Sequence, residues 1–450
     1  MVKVDPDILE TASIEDILKY AISEHGGSDR EEMQDYYEGR HGILSRKMAD
    51  PTKPNNQLVN NLPAYITDTV VGYFMGKPVV YRGGEDDEEY VDDLMDIFNA
   101  NDEQDHNSEM AKSQSVKGVA YELVYTDSEA QIKFITLPAE NVIYITAADI
   151  EGSPVMAVRV YKVKNLDGSS SEYYEVYTDS EVVIFEMVSE DNKRTLVERD
   201  RYEHYFGEVP VIEYRNNAEL MGDFEGVISL IDAYNKAQSD TANDMEYFTD
   251  AYLKTIGAEL DHAQVKLMKE QRVINLPDKE AEVGWLIKDV NDTVTENYKN
   301  RVREDIHTFS KVPDLTADEF GTSLSGVAIA YRMMNLEQMC ATKERKFKRG
   351  LQRRIRLITN ILNTQGKQYD WRDIDIQFTR NLPQNLKELA EIVQMLIGIV
   401  DNETVISLLP FVENPKLVLE RLAEQNEGAV DLDQFGGDVD EPEEPADPAE

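Results

Sequence analysis

Residues 311–340 read K-V-P-D-L-T-A-D-E-F-G-T-S-L-S-G-V-A-I-A-Y-R-M-M-N-L-E-Q-M-C, and the chain runs on as A-T-K-E-R-K-F-K-R-G-L-Q-R-R-I-R-L-I-T-N-I-L-N to Asn363. The first dozen residues, with Pro313, Gly321 and small polar side chains, have no steady apolar period and predict a loop. A helix follows, capped by Ser323 or Ser325. Its apolar positions Met333, Leu336, Cys340, Phe347, Leu351, Ile355, Ile358 and Leu362 recur at steps of three, four or seven, which is one helical stripe. From Ser325 to Asn363 such a helix would run about 57 Å at 1.5 Å per residue. Gly350 falls within it, costs about 1 kcal/mol against alanine there, and predicts a bend.

The second half of the helix is basic, with Lys343, Arg345, Lys346, Lys348, Arg349, Arg353, Arg354 and Arg356 set against Glu344 alone. Carboxylates of the same or a neighbouring subunit are the favoured partners of this face, for which Lys343, Arg345, Lys346, Arg349, Arg353 and Arg356 are the candidates. Nucleic-acid phosphates are the sharper alternative, weakened by the scarcity of interleaved aromatics and the lack of a base-reading motif. The chain as a whole carries 46 Lys and Arg against 88 Asp and Glu, a formal charge of −42. Such a surface repels free nucleic acid and anionic membranes at a distance, so any DNA contact must be local.

With 450 residues, 41% of them hydrophobic, the chain has room for two or three domains with real cores. Its start, M-V-K-V-D-P-D-I-L-E, lacks a basic region followed by an apolar run, so no secretory signal is expected. Apolar runs such as Val70 to Met75 fall far short of the roughly 20 residues of a membrane span. Cys340, the single cysteine, lies on the apolar stripe and reads as packing. The six histidines form no metal-type cluster, and neither a phosphate-binding glycine loop nor a nucleophile elbow is present. The acidic run Glu85 to Glu89 lacks the alternating ligands and glycine of a calcium loop. No catalytic residue, metal or cofactor is expected, and the chain reads as a non-enzyme.

Along the chain, two short helices with capping-box patterns at Ser13 with Asp16 and Ser28 with Glu31 lead to a basic, proline-marked connection ending at Asn56. A helix follows over about Asn61 to Met75, its face of Leu62, Ile66, Val70 and Phe74 buried. Helices from Glu88 to Asn99 and Asn107 to Lys117 precede alternating segments at Val119–Tyr125, Gln131–Leu137, Val155–Val163, Tyr173–Tyr177, Val182–Val188 and Val209–Tyr214. Turns at Asp127-Ser128 and Asp167-Gly168 make these an antiparallel sheet of hairpins. The fold class is α+β.

Helical period returns from Glu225 to about Leu253, with Ile228, Ile231, Tyr234, Ala242, Met245 and Phe248 along one side. Asn235, Gln238, Asp240, Asn243 and Asp244 occupy its other faces, as expected where a helix lines water or meets copies of itself. Between Lys254 and Asp289 lies a small insert: a strand at Lys254–Ala258, a helix around His262–Glu270, and strands at Arg272–Asn275 and Ala281–Ile287. A helix from Thr293 to Lys311 leads back to the loop. Beyond the basic helix come a strand within Tyr369–Phe378 and helices from Asn385 to Val400, Asn402 to Leu408 and Asn414 to Asn426. The remainder, from Glu427, has ten acidic and no basic residues and predicts disorder.

Taken in order, D-Y-Y-E-G-R-H-G-I-L from Asp35, K-P-N-N-Q-L-V-N-N from Lys53, V-G-Y-F-M-G-K-P-V from Val71, L-I-D-A-Y-N from Leu230 and P-D-L-T-A-D-E-F-G-T-S-L-S-G-V-A-I from Pro313 carry a resemblance. The chain is similar to the portal proteins of tailed double-stranded DNA bacteriophages, in the branch common among siphophages of Gram-positive hosts. The resemblance implies a portal fold. Its parts would be an α+β wing (1–220), a two-helix stem (221–253 and 290–311), a small α/β clip (254–289), a tunnel loop (312–324), a long helix with the wing's return (325–383), a helical crown (384–426) and the acidic tail (427–450).

The resemblance further implies a closed ring, usually of twelve subunits, at one capsid vertex of the virion, assembled in the host cytoplasm. Double-stranded DNA, held without sequence specificity, would pass through it in packaging and ejection. The implied partners are the terminase packaging motor, the head-completion adaptor, and the major capsid and scaffolding proteins, with no membrane. Lys311, Asp314, Thr316, Asp318, Glu319, Thr322 and Ser323 would be the DNA-facing loop residues. Glu259, Asp261, Lys266, Lys269, Asp278, Lys279 and Glu280 would face motor or adaptor. Because each lysine–phosphate contact strengthens binding through counterion release, a basic tunnel would stall the duplex and an acidic one lets it slide. Asp314, Asp318 and Glu319 are therefore expected to keep the loop from gripping. The competing readings are an acidic DNA mimic, suggested by the charge, and a carboxylate-based metal enzyme; neither accounts for long helices bracketing a small insert.

Overall fold

Val2–Val4 forms a short strand, β1, whose two valines are buried and whose Lys3 is exposed. Three residues are too few to show a period, and sequence reasoning missed it. The computed structural model describes residues 2–25, 30–51, 53–84, 87–190, 193–248, 252–257, 262, 266, 282–286, 292–316, 326–381, 386–409, 412 and 415–430. The chain divides into two units, Met1–Leu324 with Ala328–Asn381, and Ser325–Val327 with Leu382–Glu450.

In the first unit, helices α1 (Ile8–Thr11), α2 (Ile14–Glu24) and α3 (Arg30–Tyr37) follow β1. The Ser13 hydroxyl accepts from the Asp16 amide at 3.1 Å, as the capping box requires; Ser28 lies outside the described residues. Helix α4 (Leu62–Phe74) has Pro63 in its first turn and buries Ile66, Val70 and Phe74, with Leu62 half-buried. After strand β2 (Val80–Arg82) come α5 (Glu88–Asn99) and α6 (Glu103–Lys117). Helix α6 begins at Glu103 rather than Asn107. Its buried side includes Glu103, Asn107, Gln114 and Ser115, so no apolar period marks its first turn.

The strands form two principal sheets, not one. Strands β3 (Val119–Thr126), β4 (Ile132–Leu137) and β10 (Val211–Arg215) make a three-stranded antiparallel sheet in the order β10-β3-β4. Strands β5 (Val142–Ala147), β6 (Pro154–Lys164), β7 (Ser170–Tyr177), β8 (Glu181–Glu190) and β9 (Lys193–Glu203) join β1 in a six-stranded sheet, order β1-β5-β6-β7-β8-β9. Only β1 and β5 run parallel in it. The turns expected at Asp127-Ser128 and Asp167-Gly168 are present, and Gly168 has φ +85, which a side chain resists.

Strand β9 escaped sequence reasoning because seven of its eleven residues are charged, which hides the apolar alternation. Its ion pairs Arg199–Glu186 at 2.6 Å and Arg201–Glu181 at 2.9 Å cross to β8, and Arg194–Glu172 at 2.9 Å reaches past it to β7. Charge of this kind protects an edge from pairing with another chain. One core lies where Ile17, Leu18 and Ala21 of α2 cover Ile143, Ile145, Val158, Val176 and Phe185. Another joins the two sheets through Val119, Leu123, Leu137, Val142, Tyr144, Tyr177 and Val211.

Helix α7 (Ile228–Phe248) is preceded by a single 3-10 turn at Glu225–Val227. Strands β11 (Tyr252–Ile256) and β12 (Glu282–Leu286) pair antiparallel, and helix α8 (Asp292–Ser310) follows. His262 and Lys266 are helical; the strand expected at Arg272–Asn275 lies outside the described residues. The long helix is divided at Met333 into α9 (Gly326–Arg332) and α10 (Met334–Thr364).

Helix α10 continues through Gly350, where a bend was expected. A Cβ there would lie 2.3 Å from the ring of Tyr214, so the glycine serves close packing. Past α10, a 3-10 turn at Trp371–Asp373, capped by Asp370, takes much of the stretch expected as strand. Only β13 (Asp375–Gln377) remains extended, paired with β2. In the second unit, α11 (Leu386–Leu396), α12 (Asn402–Ser407) and α13 (Pro415–Val430) fall where helices were expected, except that α11 stops short of Val400, which bridges to Ile397, and α13 runs past Glu427; residues 431–450 lie outside the description.

Candidate functional site

A row of lysines and arginines on one helix need not be one surface, since successive residues point 100° apart. Helix α10 divides its cations. Arg354 is fully buried, with Glu122 of β3 at 2.6 Å and Glu103 of α6 at 3.1 Å. Tyr214 donates to Glu122 at 2.7 Å, His106 meets the same carboxylate at 2.7 Å, and Tyr81 and Asn107 reach Glu103. Burial alone would push the Glu122 carboxyl up; Arg354 and His106 outweigh it and bring it down to about 2.

Lys343 is likewise buried, 2.5 Å from Asp223, whose other oxygen accepts from Asn216 at 2.8 Å. Of the six candidate residues, Lys343 thus belongs to the interior. Arg345 is exposed and reaches Thr342 of its own helix at 3.2 Å, and Arg356 pairs with Glu208. Arg353 donates to the Val209 carbonyl at 3.2 Å. Lys346, Arg349 and Arg353 line a crevice of about 250 Å³ together with Lys3, Asp149 and Glu213. Pairing with carboxylates, the favoured expectation, describes Lys343, Lys348, Arg353, Arg354 and Arg356, with Arg353 3.9 Å from Glu208 and Lys348 3.1 Å from Asp375. No signal in the sequence separates Arg354 from Arg353; the difference is which side of the helix meets β3.

At the root of the expected tunnel loop, helix α8 ends at Ser310 and Lys311 turns the chain with φ +63. Val312 is buried. Asp314 is held by Arg303 at 2.6 Å and lies 3.8 Å from His307, and its carboxylate accepts from both the amide and the hydroxyl of Thr316. Burial pushes the Asp314 carboxyl up, but the Thr316 bonds and Arg303 leave it below its ordinary value. Tyr65 of α4 crosses the same segment: its hydroxyl donates to the Pro313 carbonyl at 3.1 Å and accepts from the Leu315 amide at 2.8 Å. Lys311 and Thr316 are exposed. Asp318, Glu319, Thr322 and Ser323 lie outside the described residues.

Of the expected clip residues, Lys266 is described and exposed. Glu259, Asp261, Lys269, Asp278, Lys279 and Glu280 are outside the description. Among the described residues no group of His, Cys, Asp and Glu is placed to hold a metal ion, and no helix is long and apolar enough to cross a membrane.

The sequence profile described as "Phage portal protein, SPP1 Gp6-like" matches residues 19–431. The chain belongs to this phage portal family. The portal protein of Bacillus phage SPP1 is 26% identical over 423 residues, covering 88% of this chain and 82% of that protein. The portal protein of Clostridium phage phiCD119 is 23% identical over 415 residues, 86% of this chain and 90% of that protein. Among solved structures, a chain in the neck of the native GTA particle, computed with C12 symmetry, aligns with a TM-score of 0.51 at 10% identity. It covers 88% of this chain and 98% of its own length, and supports the portal fold. The portal protein is thus a structural component of a bacteriophage virion, at the portal vertex, and not an enzyme.

Proposed function

We propose that this portal protein closes into a ring of twelve copies at one capsid vertex and forms the channel through which the genome is packaged and ejected. The observation that carries the reading is the pair of long helices, α7 and α8, bracketing the small β11–β12 insert. They leave apolar side chains in water: Met245 is 66% exposed, Tyr298 51% and Phe309 65%. Neighbouring copies in a closed ring would cover such surface. In the second unit, Val405 is the one fully buried apolar side chain among the described residues, while Met395, Ile397 and Ile399 are exposed, which equally suits burial by assembly.

In this reading, residues 1–220 are the wing, α7 and α8 the stem, 254–289 the clip that meets the terminase motor and the head-completion adaptor, 312–324 the tunnel loop, and α11 to α13 the crown. The wing faces the major capsid and scaffolding proteins during assembly in the host cytoplasm. Asp318 and Glu319 carry the loop's repulsion of DNA, since Asp314 is already neutralised by Arg303. Negative-stain electron microscopy at high protein concentration, with the mass in solution, tests the proposal. Rings of about a dozen copies with an axial hole are expected. A monomer that forms no rings even with capsid and scaffolding proteins would overturn it.

A further inference from the structure

The segment that follows α8 has no regular structure to hold it, yet it is bonded from two sides. Lys311 adopts the left-handed conformation, which lysine takes only at a cost, and the chain then doubles back against its own helix. His307 Nδ1 faces the Val312 carbonyl at 3.0 Å. A carbonyl only accepts, so this nitrogen carries the proton and the ring is fixed in orientation. One turn earlier on the same side, Arg303 reaches both Asp314 at 2.6 Å and the Thr316 hydroxyl at 3.1 Å.

The second side comes from α4, far away in sequence. The Tyr65 hydroxyl uses its donor on Pro313 and accepts from Leu315. Its ring meets the His307 ring edge to face, 5.7 Å between centroids. A hydroxyl that both donates to and accepts from backbone two residues apart holds that backbone to one conformation, because shifting either residue breaks a bond. The wing helix α4, the stem helix α8 and residues 312–316 are thereby joined at one point.

We propose that Tyr65, Arg303 and His307 are positioning residues that fix residues 312–316, and with them the direction from which the chain enters the DNA-facing part of the loop. This rests on the reading of 312–324 as the tunnel loop. It assigns Asp314 and Thr316 to the fixed base of that loop and leaves DNA contact to residues beyond Thr316. A general packing role for Tyr65 makes a different forecast, since the ring would then matter and the hydroxyl would not.

The test is Tyr65→Phe, which keeps the ring against His307 and removes both hydrogen bonds, with Arg303→Gln as a second variant. Hydrogen–deuterium exchange of the full chain, ring or monomer, reads the effect without reference to DNA. Exchange at the Leu315 amide is expected to rise about tenfold, the loss of one net hydrogen bond, with protection in α8 and the melting temperature unchanged. Unchanged exchange at residues 312–316 in both variants overturns the proposal. A fall in melting temperature with loss of protection throughout α4 and α8 also overturns it, in favour of packing alone. Packaging by capsids carrying the Tyr65→Phe portal is expected to slow. If exchange rises while packaging stays intact, positioning stands and the DNA-facing reading of the loop fails.

Discussion

Gly350 shows how little one residue's type says without its neighbours. In sequence it is a helix breaker; in the fold it is the gap into which the Tyr214 ring fits, so that the Tyr214 hydroxyl can reach Glu122 at 2.7 Å. Gly350→Ala should therefore destabilise the protein. The gain in helix propensity is about 1 kcal/mol, whereas overpacking a full core costs about 1–3 kcal/mol and here also threatens a buried hydrogen bond. Chemical denaturation should show a net loss of about 1–2 kcal/mol. A more stable variant would mean that Tyr214 can move aside freely.

At the scale of the element, α7 turns its polar stripe inward. Ile231, Asn235 and Ser239 are fully buried, while Met245, expected on the apolar side, is exposed. Asn235 accepts from the Asn60 amide at 2.8 Å and donates to His41 at 2.8 Å. Ser239 accepts from the Leu58 amide at 2.9 Å, and Asn243 from the Asn56 amide at 2.7 Å. The stretch K-P-N-N-Q-L-V-N-N is thus an extended strap whose amides are satisfied by a helix, which replaces the sheet partner that buried backbone otherwise requires. Asn235→Ala would take a hydrogen-bond partner from the buried His41 ring and from both the backbone amide and the side chain of half-buried Asn60. A loss of about 2–3 kcal/mol is expected, with faster amide exchange at 56–60 and little change at α8. A loss under about 0.5 kcal/mol would show that the strap is held mainly by its side chains.

For the whole molecule, charge acts in two opposed ways as pH falls. Protonating surface carboxylates relieves the repulsion of a −42 chain, which favours the compact state. The buried cluster responds oppositely. Glu122, held down to about 2 from an ordinary 4.5, contributes stability that is fully present above about pH 4.5 and is lost as pH falls toward 2. The sign follows because the unfolded chain then binds a proton that the folded one refuses. The contribution is on the order of 3 kcal/mol. Glu122→Gln should be less stable at pH 7, since the buried Arg354 is left with Glu103 alone as its counter-charge. It should also lose less stability than the parent between pH 4.5 and 3, measured by denaturation at each pH. Equal acid slopes would place the acid-labile group elsewhere.

The sequence by itself determined the α+β class, the two long helices (α8 to within a residue, α7 to within about five, its expected end at Leu253 falling in β11), the small insert between them and the family. Each rests on local pattern: apolar period, capping residues and ordered motifs. Tertiary structure alone decided which cations of α10 are interior, because Arg353 and Arg354 are neighbours in sequence and differ only in which side of the helix meets Glu122. It decided that Asn235 and Ser239 face inward, since a polar side chain buried against a strap shows the same hydropathy as one in water. It also decided that residues 313–315 are held from two sides, because Arg303, which pairs with Asp314, and Tyr65, which bonds Pro313 and Leu315, come from two helices that no local period connects. Hydropathy reports the cost of leaving water; it does not report which partner compensates that cost, and partners are supplied by the fold.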